Sequence, residues 1–463
     1  MKKQVKIALP KGRLLAETSR LLQAAGWGLN DYTEDTRLYH LQSAAFPNLN
    51  AKVFQEKDIP VQVAIGNYDL GICGLDWVEE QLVKYPSSAI VKIEDLGYDR
   101  LNLYMVTGKY ASISELRNSK ERIRIASEYP NIAESFAAKN RLRSFSVYPV
   151  WGAAEAYPPD SADLALVSDR KQLPPGIFAI ERVLSASACL IANRNSWENR
   201  DLGGFLSTLI ENRPSKITAP VVEIPQSVKV YKTVPVNNDN IVRIAIADGH
   251  QQAPTAELLE KAGIKMGGYA SSGGNPRPAS NLAGVFFKVI RPQDMPLQVA
   301  NSNFDLAITG RDWLKNHLDQ FPTSPVAELL DLNYAWVRIV AVVSNKMPIN
   351  NASDLRNYYA DKPNPLRIAS EYTNIADKYA RDNHLGMYRI IPTWGATETF
   401  IPDDADMLIE NTQTGKTLER HNLRIIDTLF ESTGCLIGNT KMNKVKTERI
   451  NRVVTMLRKA LGA

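Results

Sequence analysis

The chain has 463 residues, of which 44% are hydrophobic and 23% are charged, and its formal net charge is +5. A chain of this length holds two to four domains with packed cores, and so small a net charge argues against a dedicated nucleic-acid-binding protein. The three cysteines (Cys73, Cys189 and Cys435) are far apart in sequence, which excludes a disulfide framework or a thiolate metal cluster and fits a reducing compartment.

The first residues are basic and partly apolar, as in the leader of an exported protein. Pro10, Lys11, Gly12 and Arg13 interrupt the apolar run, so we expect no signal peptide. No apolar run approaches the roughly 20 residues that a membrane-spanning helix needs. We therefore expect a cytoplasmic protein without a membrane partner.

Through the first half of the chain, short apolar runs typical of buried strands alternate with amphipathic stretches typical of helices. The predicted strands lie at residues 6–9, 69–73, 101–106, 124–126 and 164–167, and the clearest helices lie at residues 16–25 and 132–139. This alternation predicts α/β lobes in which helices flank largely parallel sheets.

The second half of the chain repeats the first. The segment IRIASEYPNIAESFAAKNRL (123–142) returns as LRIASEYTNIADKYARDNHL (366–385), 243 residues later, and residues 56–82 return at 292–318, 236 residues later. Because order and spacing persist over both halves, we infer the duplication of a whole two-lobed unit and not a short solenoid repeat.

The repeat sets the predicted domain boundaries. Copy one comprises residues 1–213 and copy two comprises residues 241–463. Residues 214–240 are rich in valine and poor in helix formers, which predicts an extended linker. The predicted fold class is α/β, with two tandem copies of a two-lobed unit in which each lobe is a mostly parallel sheet flanked by helices.

A turn rich in threonine and glycine follows a short apolar strand in copy two. The turn contains Thr412, Thr414, Gly415, Lys416 and Thr417, and a helix-favouring segment comes next. A strand, a hydroxyl-rich glycine turn and a helix start present backbone N–H groups and hydroxyls to an anion. An ordinary helix cap with a glycine in the loop has the same appearance, but the position of the turn favours phosphate binding.

The loop after the first strand differs between the copies. Copy one reads PKGRL at residues 10–14, whereas copy two reads ADGHQ at residues 247–251. Copy two therefore has an aspartate and a histidine in place of a lysine and an arginine. Cations beside a glycine, directly after a buried strand, stand where α/β proteins bind phosphates, although solvated surface cations give the same pattern.

The phosphate turn differs in the opposite sense. Copy one reads SDRKQLPPG at residues 168–176 in place of the threonine- and glycine-rich turn. Asp169 aligns with Thr412 and would repel a phosphate, and Asn102 of copy one aligns with Arg338 of copy two. The losses of the two copies are thus complementary.

Four segments carry a family resemblance. IALPKGRL, DLGICGLDWVEE, IASEYPNIA and DMLIENTQTGKTLERHNL together resemble the signature segments of ATP phosphoribosyltransferase, the first enzyme of histidine biosynthesis. The resemblance covers almost the whole chain, once per copy. It implies two α/β lobes that resemble a type II periplasmic-binding fold, with the active site in the cleft between them.

The resemblance also implies a reaction. ATP phosphoribosyltransferases join N1 of the ATP adenine to C1 of phosphoribosyl pyrophosphate (PRPP) and release pyrophosphate, with Mg²⁺ carried by the substrate. Positive charge grows on the ribose while negative charge grows on the leaving pyrophosphate, so catalysis requires positioning, cations and a carboxylate. The five histidines show no ligand spacing, and we expect no metal site made of protein ligands.

The resemblance assigns roles to individual residues. The turn of copy two holds the 5′-phosphate of PRPP, and Glu410 binds the ribose hydroxyls. Because catalytic units of this family pack as dimers, we expect copy one to lend cations to a single composite site. The expected catalytic residues are Lys11, Arg13, Glu410 and Arg338, and the expected nucleotide- or pyrophosphate-binding residues are Gly12, Arg37 and Ser370. For Arg338 a structural ion pair, and for Ser370 a helix cap, are the simpler alternatives.

Two other functions have sequence features of their own. A non-catalytic regulatory paralogue would lack one essential element in both copies, and we find none. A two-lobed small-anion binding protein would suit the fold alone. The short form of the family works with a regulatory subunit that resembles histidyl-tRNA synthetase, and such a partner, or a homo-oligomer, stays open for this chain.

Overall fold

The computed structural model describes residues 4–34, 38–213, 240–269, 275–441 and 444–462. Arg37 and, apart from Asn240, the predicted linker lie outside these ranges. Two compact units make up the described structure. The first comprises the described residues of Met1–Tyr148, Leu164–Val230 and Trp394–Ala396, and the second comprises those of Pro149–Asp163, Tyr231–Thr393 and Thr397–Ala463.

Strands and helices alternate through the described part of copy one. The strands are β1 (Val5–Pro10), β2 (His40–Gln42), β3 (Leu49–Phe54), β4 (Leu70–Gly74), β5 (Ile90–Asp95), β6 (Leu101–Thr107), β7 (Ile123–Ser127), β8 (Phe145–Pro149), β9 (Leu164–Ser168), β10 (Phe178–Ala186) and β11 (Ala188–Asn193). The helices are α1 (Leu15–Ala24), α2 (Asp58–Ala64), α3 (Leu75–Lys84), α4 (Ile113–Asn118), α5 (Pro130–Lys139), α6 (Arg194–Asn199) and α7 (Gly203–Glu211).

Two sheets define the two lobes of copy one. The first has the strand order β2-β3-β1-β4-β11-β5 and the second has the order β10-β6-β9-β7-β8. The chain passes to the second sheet after β5 and returns through β11. Every residue of β11 is buried, as expected for a central strand covered on both faces. The predicted two-lobed α/β fold is confirmed.

The sheets are mixed, whereas the sequence predicts mostly parallel ones. β1 pairs parallel with β3 and β4, but β11 pairs antiparallel with both β4 and β5. The reason is topological, because the returning strand enters the first lobe from the opposite end of the sheet.

Copy two repeats this arrangement. Its strands are β12 (Val242–Ala247), β13 (Met266–Gly267), β14 (Ala279–Ser280), β15 (Val285–Ile290), β16 (Leu306–Gly310), β17 (Val326–Asp331), β18 (Val337–Ser344), β19 (Leu366–Ser370), β20 (Tyr388–Pro392), β21 (Met407–Thr412), β22 (Leu423–Ser432) and β23 (Gly434–Asn439). Its helices are α8 (Gln252–Lys261), α9 (Met295–Ala300), α10 (Arg311–Gln320), α11 (Ala352–Tyr359), α12 (Thr373–Asp382), α13 (Lys416–Arg420) and α14 (Thr447–Ala460).

The lobes of copy two have matching strand orders. The first sheet runs β15-β12-β16-β23-β17 and the second runs β20-β19-β21-β18-β22, with a separate β13-β14 ribbon. Each lobe has its own hydrophobic core, built around residues such as Ile244 and Leu436 in the first lobe and Ile368 and Met407 in the second. The duplication seen in the sequence is therefore a duplication of the fold.

Two helices of copy two bring its lobes into contact. α10 follows β16 of the first lobe, and α12 follows β19 of the second. α12 buries Ile375, Ala376, Tyr379 and Ala380, a stripe with the period of an amphipathic helix. The N–H group of Asn374 donates to the side-chain oxygen of Asn316 on α10 over 3.1 Å. Among the described residues, no helix is both long enough and apolar enough to cross a membrane.

Candidate active site

The threonine- and glycine-rich turn lies between β21 and α13. The N–H group of Gly415 donates to Oγ1 of Thr412 over 3.0 Å. Gly415 has φ +78°, a left-handed conformation that glycine adopts without the penalty of a Cβ atom. A Cβ added there would meet no atom within 4 Å. The turn is thus tied internally and open above its glycine, with Thr414, Lys416 and Thr417 exposed.

Arg338 lies beside this turn. β18 pairs antiparallel with β21, and Arg338 stands directly opposite Thr412, so their side chains share one face of the sheet. Nε of Arg338 is buried without a hydrogen-bond partner among the described residues. A buried guanidinium N–H without an acceptor is costly. An anion bound at the turn would supply that acceptor.

The same two positions in copy one satisfy each other. Asn102 replaces Arg338, and its Nδ2 and backbone N–H groups donate to Oδ2 of Asp169 over 2.9 Å and 3.1 Å. Arg170, the next residue, forms a 2.7 Å ion pair with Asp99. The degraded turn of copy one therefore binds its own side chains, whereas the turn of copy two leaves a cation unpaired among the described residues.

Three carboxylates lie close to the turn of copy two. Glu410, in the second half of β21, is half-buried. Burial together with repulsion from Glu371 raises its pKa to about 8, although a hydrogen bond from the N–H group of Asn411 opposes this shift. Burial and repulsion from Glu398 raise the pKa of Glu371 to about 7. Glu410 and Glu371 therefore have pKa values above the ordinary range of a carboxyl, and a cationic or hydroxyl-bearing ligand beside them would favour their charged forms.

A buried hydrogen-bond chain joins the two lobes of copy two beside Glu410. The hydroxyl of Tyr372 donates to Oδ2 of Asp312 over 2.6 Å and accepts from Nδ2 of Asn411 over 3.0 Å. Asp312 lies in the first turn of α10, and Trp313 lies against the Tyr372 ring with centroids 4.4 Å apart. The sequence analysis did not predict this series of hydrogen bonds. A signal for it exists, because the tripeptide Ser-Glu-Tyr occurs in both copies and Tyr129 of copy one donates the same hydrogen bond to Asp76.

Ser370 lies in this region, and its hydroxyl already forms hydrogen bonds with the backbone. Oγ of Ser370 donates to the carbonyl oxygen of Ile409 over 2.6 Å and accepts from the N–H group of Tyr372 over 2.9 Å. The side chain is fully buried. These bonds stabilise the turn between β19 and α12 without capping the helix, and direct contact with a nucleotide stays a prediction.

Lys11 and Gly12 lie in the loop after β1, in the first compact unit. Gly12 has φ +85° with open space beside it. Nζ of Lys11 donates to the hydroxyl of Tyr39 over 3.0 Å and lies 5.0 Å from the centroid of that ring. The ammonium is therefore held by a neutral group and keeps its charge available to an anion.

Arg13 is held by three carboxylates of its own copy. Its guanidinium lies 2.8 Å from Glu56, 2.9 Å from Asp76 and 3.3 Å from Asp99. Burial alone would lower the pKa of Arg13, but these carboxylates, Asp76 foremost, hold it above its ordinary value. Burial also raises the pKa of Glu56 to about 7 in spite of the arginine. Within copy one Arg13 is an ion-pairing residue, and its predicted contact with pyrophosphate stays a prediction.

Arg277, a candidate substitute in copy two for Arg37, is also engaged. Its Nη2 donates to the carbonyl oxygen of Ala156 and to Oδ1 of Asp160, each over 3.0 Å, inside the second compact unit. In the described part of the chain, no group of three or more histidine, cysteine, aspartate or glutamate side chains could hold a metal ion.

Comparison with known proteins matches part of each copy. The family model for ATP phosphoribosyltransferase matches residues 55–212 and again residues 291–459. An ATP phosphoribosyltransferase of Chlorobaculum parvum is 31% identical over 234 residues, which cover 49% of this chain and 74% of the relative. One of Pelotomaculum thermopropionicum is 30% identical over 230 residues, covering 48% of this chain and 73% of the relative.

A solved structure is similar to one copy. It is an ATP phosphoribosyl transferase (HisG:HisZ) complex from Thermotoga maritima, with 20% sequence identity and a TM-score of 0.40. The match covers 48% of this chain and 99% of the solved chain.

Proposed function

Because the chain belongs to the ATP phosphoribosyltransferase family, we propose that it joins N1 of the ATP adenine to C1 of PRPP and releases pyrophosphate, the first step of histidine biosynthesis. The observation that carries the proposal is the open turn of copy two beside Nε of Arg338, which has no partner among the described residues. An anion completes this arrangement, and the 5′-phosphate of PRPP is the anion that the family provides.

In copy two, cationic groups and N–H donors would bind the phosphate of PRPP, and a carboxylate would bind its ribose. The backbone N–H groups and hydroxyls of the turn, together with Lys416, bind the 5′-phosphate, and Arg338 contributes a half-buried cation. Glu410, two residues before the end of β21, accepts hydrogen bonds from the ribose hydroxyls. Because these groups come from adjacent strands of one sheet, they position the C1 atom at a fixed distance from the turn.

Bond making and bond breaking need little from the protein beyond this positioning. The C1–oxygen bond to pyrophosphate breaks, the electron pair leaves with the pyrophosphate, and N1 of adenine donates its own lone pair to C1. Mg²⁺ that arrives bound to PRPP would neutralise charge on the leaving group.

The predicted contribution of copy one to this pocket stays a prediction. Two observations inside the first compact unit bear on it. The ammonium of Lys11 is paired with a neutral hydroxyl, whereas the guanidinium of Arg13 is paired with carboxylates. Lys11 is therefore the stronger candidate for a substrate contact, and Arg13 the stronger candidate for a residue that shapes its loop.

We propose a cytoplasmic setting for the enzyme. Cys73, Cys189 and Cys435 are free and buried thiols, as is usual for proteins of reducing compartments. A homo-oligomer or a regulatory subunit also stays a prediction, and the assay described next decides whether such a subunit is required.

The test is pyrophosphate release by the purified chain with ATP, PRPP and Mg²⁺, and with each of them omitted in turn. The proposal requires release that depends on all three. The same assay is then applied to the variant Arg338→Gln. This substitution should lower kcat/KM roughly 10²- to 10³-fold, by analogy with the loss of one preorganised donor.

The matched control for Arg338→Gln is Arg170→Gln in the degraded turn of copy one, which should stay within about twofold of the parent chain. Equal loss in both variants would contradict a pocket confined to copy two. If the chain releases no pyrophosphate, calorimetry with PRPP separates a chain that needs an activating subunit from one that binds no substrate.

A further inference from the structure

A segment of copy one lies inside the second compact unit. Pro149–Asp163 connects β8 to β9 of copy one, yet it belongs to the unit that contains most of copy two. By sequence it is the copy-one counterpart of residues 392–406. Its contacts within the second unit therefore show what copy one adds to the structure of copy two.

Buried charges of copy two anchor this segment. The ammonium of Lys288, on β15, is fully buried and lies 2.5 Å from the carboxylate of Asp160. Asp294, also buried, accepts hydrogen bonds from the hydroxyl of Tyr157 over 3.2 Å and from the N–H group of Trp151 over 3.0 Å. Because removing one partner of a buried ion pair is strongly destabilising, the segment is an integral part of the second unit.

The side chain of Trp151 continues an aromatic series in copy two. It packs against the hydrophobic core that contains Trp313 and Tyr372. Its ring centroid lies 5.7 Å from that of Trp313, with an interplanar angle of 58°, and the centroid of Trp313 lies 4.4 Å from that of Tyr372. Aromatic rings at such separations pack favourably. Copy one thus contributes the first of three rings in this series.

The last ring of the series fixes the carboxamide of Asn411. The hydroxyl of Tyr372 has one proton, which it donates to Asp312 over 2.6 Å. The hydroxyl can therefore only accept a hydrogen bond from Asn411, whose Nδ2 lies 3.0 Å away. The backbone N–H group of Asn411 donates to Oε1 of Glu410 over 2.8 Å. A continuous series of contacts thus runs from Trp151 to the carboxylate that is proposed to bind the ribose.

Copy one keeps the aromatic pair but lacks the groups that the pair would fix. Its rings, Trp77 and Tyr129, have centroids 4.3 Å apart. The positions that correspond to Glu410 and to the residue after it are Val167 and Ser168, which carry neither a carboxylate nor a carboxamide. The aromatic pair is therefore common to both copies, whereas its connection to a carboxylate is particular to copy two.

We propose that Trp151 is a positioning residue for the reaction at copy two. It acts through Trp313 and Tyr372 on Asn411, and so holds the carboxylate of Glu410 in the orientation that binds the ribose. This inference rests on the proposed function, because it concerns the same site. It gives copy one, whose own phosphate turn is degraded, a part in the site that requires none of its cations.

Pyrophosphate release by three variants of the full chain tests the inference. Trp151→Leu keeps apolar bulk but removes the ring, and should lower kcat at least tenfold because the carboxylate beside the developing positive charge loses its orientation. Trp151→Phe restores a ring against Trp313 and should recover at least a third of the parent kcat. The matched control is Trp77→Leu, which removes a half-buried tryptophan from the corresponding pair of copy one and should keep kcat within twofold.

Three results would overturn the inference in an active chain. They are an unchanged kcat for Trp151→Leu, an equal loss of kcat for Trp77→Leu, and a kcat for Trp151→Phe as low as that for Trp151→Leu. Thermal unfolding of each variant shows that it is folded at the assay temperature, so that a loss of kcat reports on the site and not on the fraction of unfolded chain.

A double-mutant cycle separates this inference from the proposed function. If Trp151 acts through the aromatic series, Trp151→Leu and Tyr372→Phe together should lower the Tm by less than the sum of their separate effects. Additive losses would overturn the inference whether or not the chain releases pyrophosphate. A chain that shows non-additive losses but neither binds PRPP nor releases pyrophosphate would instead contradict the proposed function.

Discussion

At the scale of single residues, the two copies differ most clearly in the hydrogen bonding of one half-buried position. Asn102 of copy one donates to Asp169, whereas Arg338 and Thr412 of copy two stand in the same register with a guanidinium N–H unpaired among the described residues. A satisfied pair needs no ligand, and an unsatisfied cation does. This contrast decides which copy is proposed to bind PRPP.

Glu410 gives a prediction for stability at this scale. Its pKa of about 8, against an ordinary value of 4.5, means that the folded protein binds more protons than the unfolded chain between those pH values. Stability therefore falls as the pH rises through that window. Glu410→Gln removes the ionisation, so the stability of this variant relative to the parent chain should rise between pH 5 and pH 9. The expected rise is roughly 1–3 kcal/mol, because each pKa unit corresponds to about 1.36 kcal/mol and solvent screens a half-buried carboxyl.

Thermal unfolding of both chains across this pH range measures the effect. Glu419→Gln, an exposed carboxylate in α13, is the control and should show no pH-dependent gain. A constant difference between Glu410→Gln and the parent chain at all pH values would show that Glu410 ionises normally in the folded protein.

At the scale of secondary-structure elements, the predicted strands of copy one are buried strands of the structure, although two further buried strands, β3 and β11, were not predicted. The apolar runs at residues 6–9, 69–73 and 164–167 lie in β1, β4 and β9 as predicted. β2 and β10 escaped because they alternate or mix exposed and buried residues. Hydrophobic runs identify some of the strands that are covered on both faces, and carry little information about strands at the edge of a lobe.

Some features of the candidate site were predictable from the sequence and others were not. The threonine- and glycine-rich turn was predictable because strand, turn and helix are contiguous in sequence. The bond between Tyr372 and Asp312 was not, because 60 residues separate them and a buried tyrosine resembles any other core aromatic residue. Likewise the sequence does not show that Arg13 faces three carboxylates that come from distant segments.

Gly415 provides a prediction at the scale of elements. Gly415→Ala forces a side chain into a left-handed conformation and should destabilise the folded protein by about 1 kcal/mol, with weaker PRPP binding because the turn is distorted. Gly204→Ala in α7 has open space and no positive φ, so it should stabilise by roughly 0.5 kcal/mol. Denaturant unfolding distinguishes the two, and equal effects would mean that the turn tolerates a Cβ atom.

At the scale of the whole molecule, duplication of the fold has been followed by divergence of its sites. Both copies keep two lobes and matching strand orders, yet copy one keeps the cationic loop at residues 10–14 and copy two keeps the phosphate turn. Packing preserves a fold through many substitutions, whereas a site is lost with a few side chains. The sequence therefore predicts the fold of both copies equally well and their functions unequally.

Mixing two variants tests the prediction that copy one contributes Lys11 to the pocket of copy two. Lys11→Ala and Gly415→Asp should each lose activity if copy one lends its lysine to the pocket of copy two. A mixture of the two variants should stay inactive if one chain supplies the whole site. Recovery of activity in the mixture would mean that sites form between chains, and full activity of Lys11→Ala alone would remove that lysine from the reaction.

The number of PRPP molecules bound per chain is the decisive measurement, because PRPP is proposed to bind at the turn of copy two alone. Isothermal titration of the full chain with PRPP and Mg²⁺ should give one site per chain, and Gly415→Asp should abolish it. Two equivalent sites per chain, or one that survives Gly415→Asp, would contradict the assignment of PRPP to copy two.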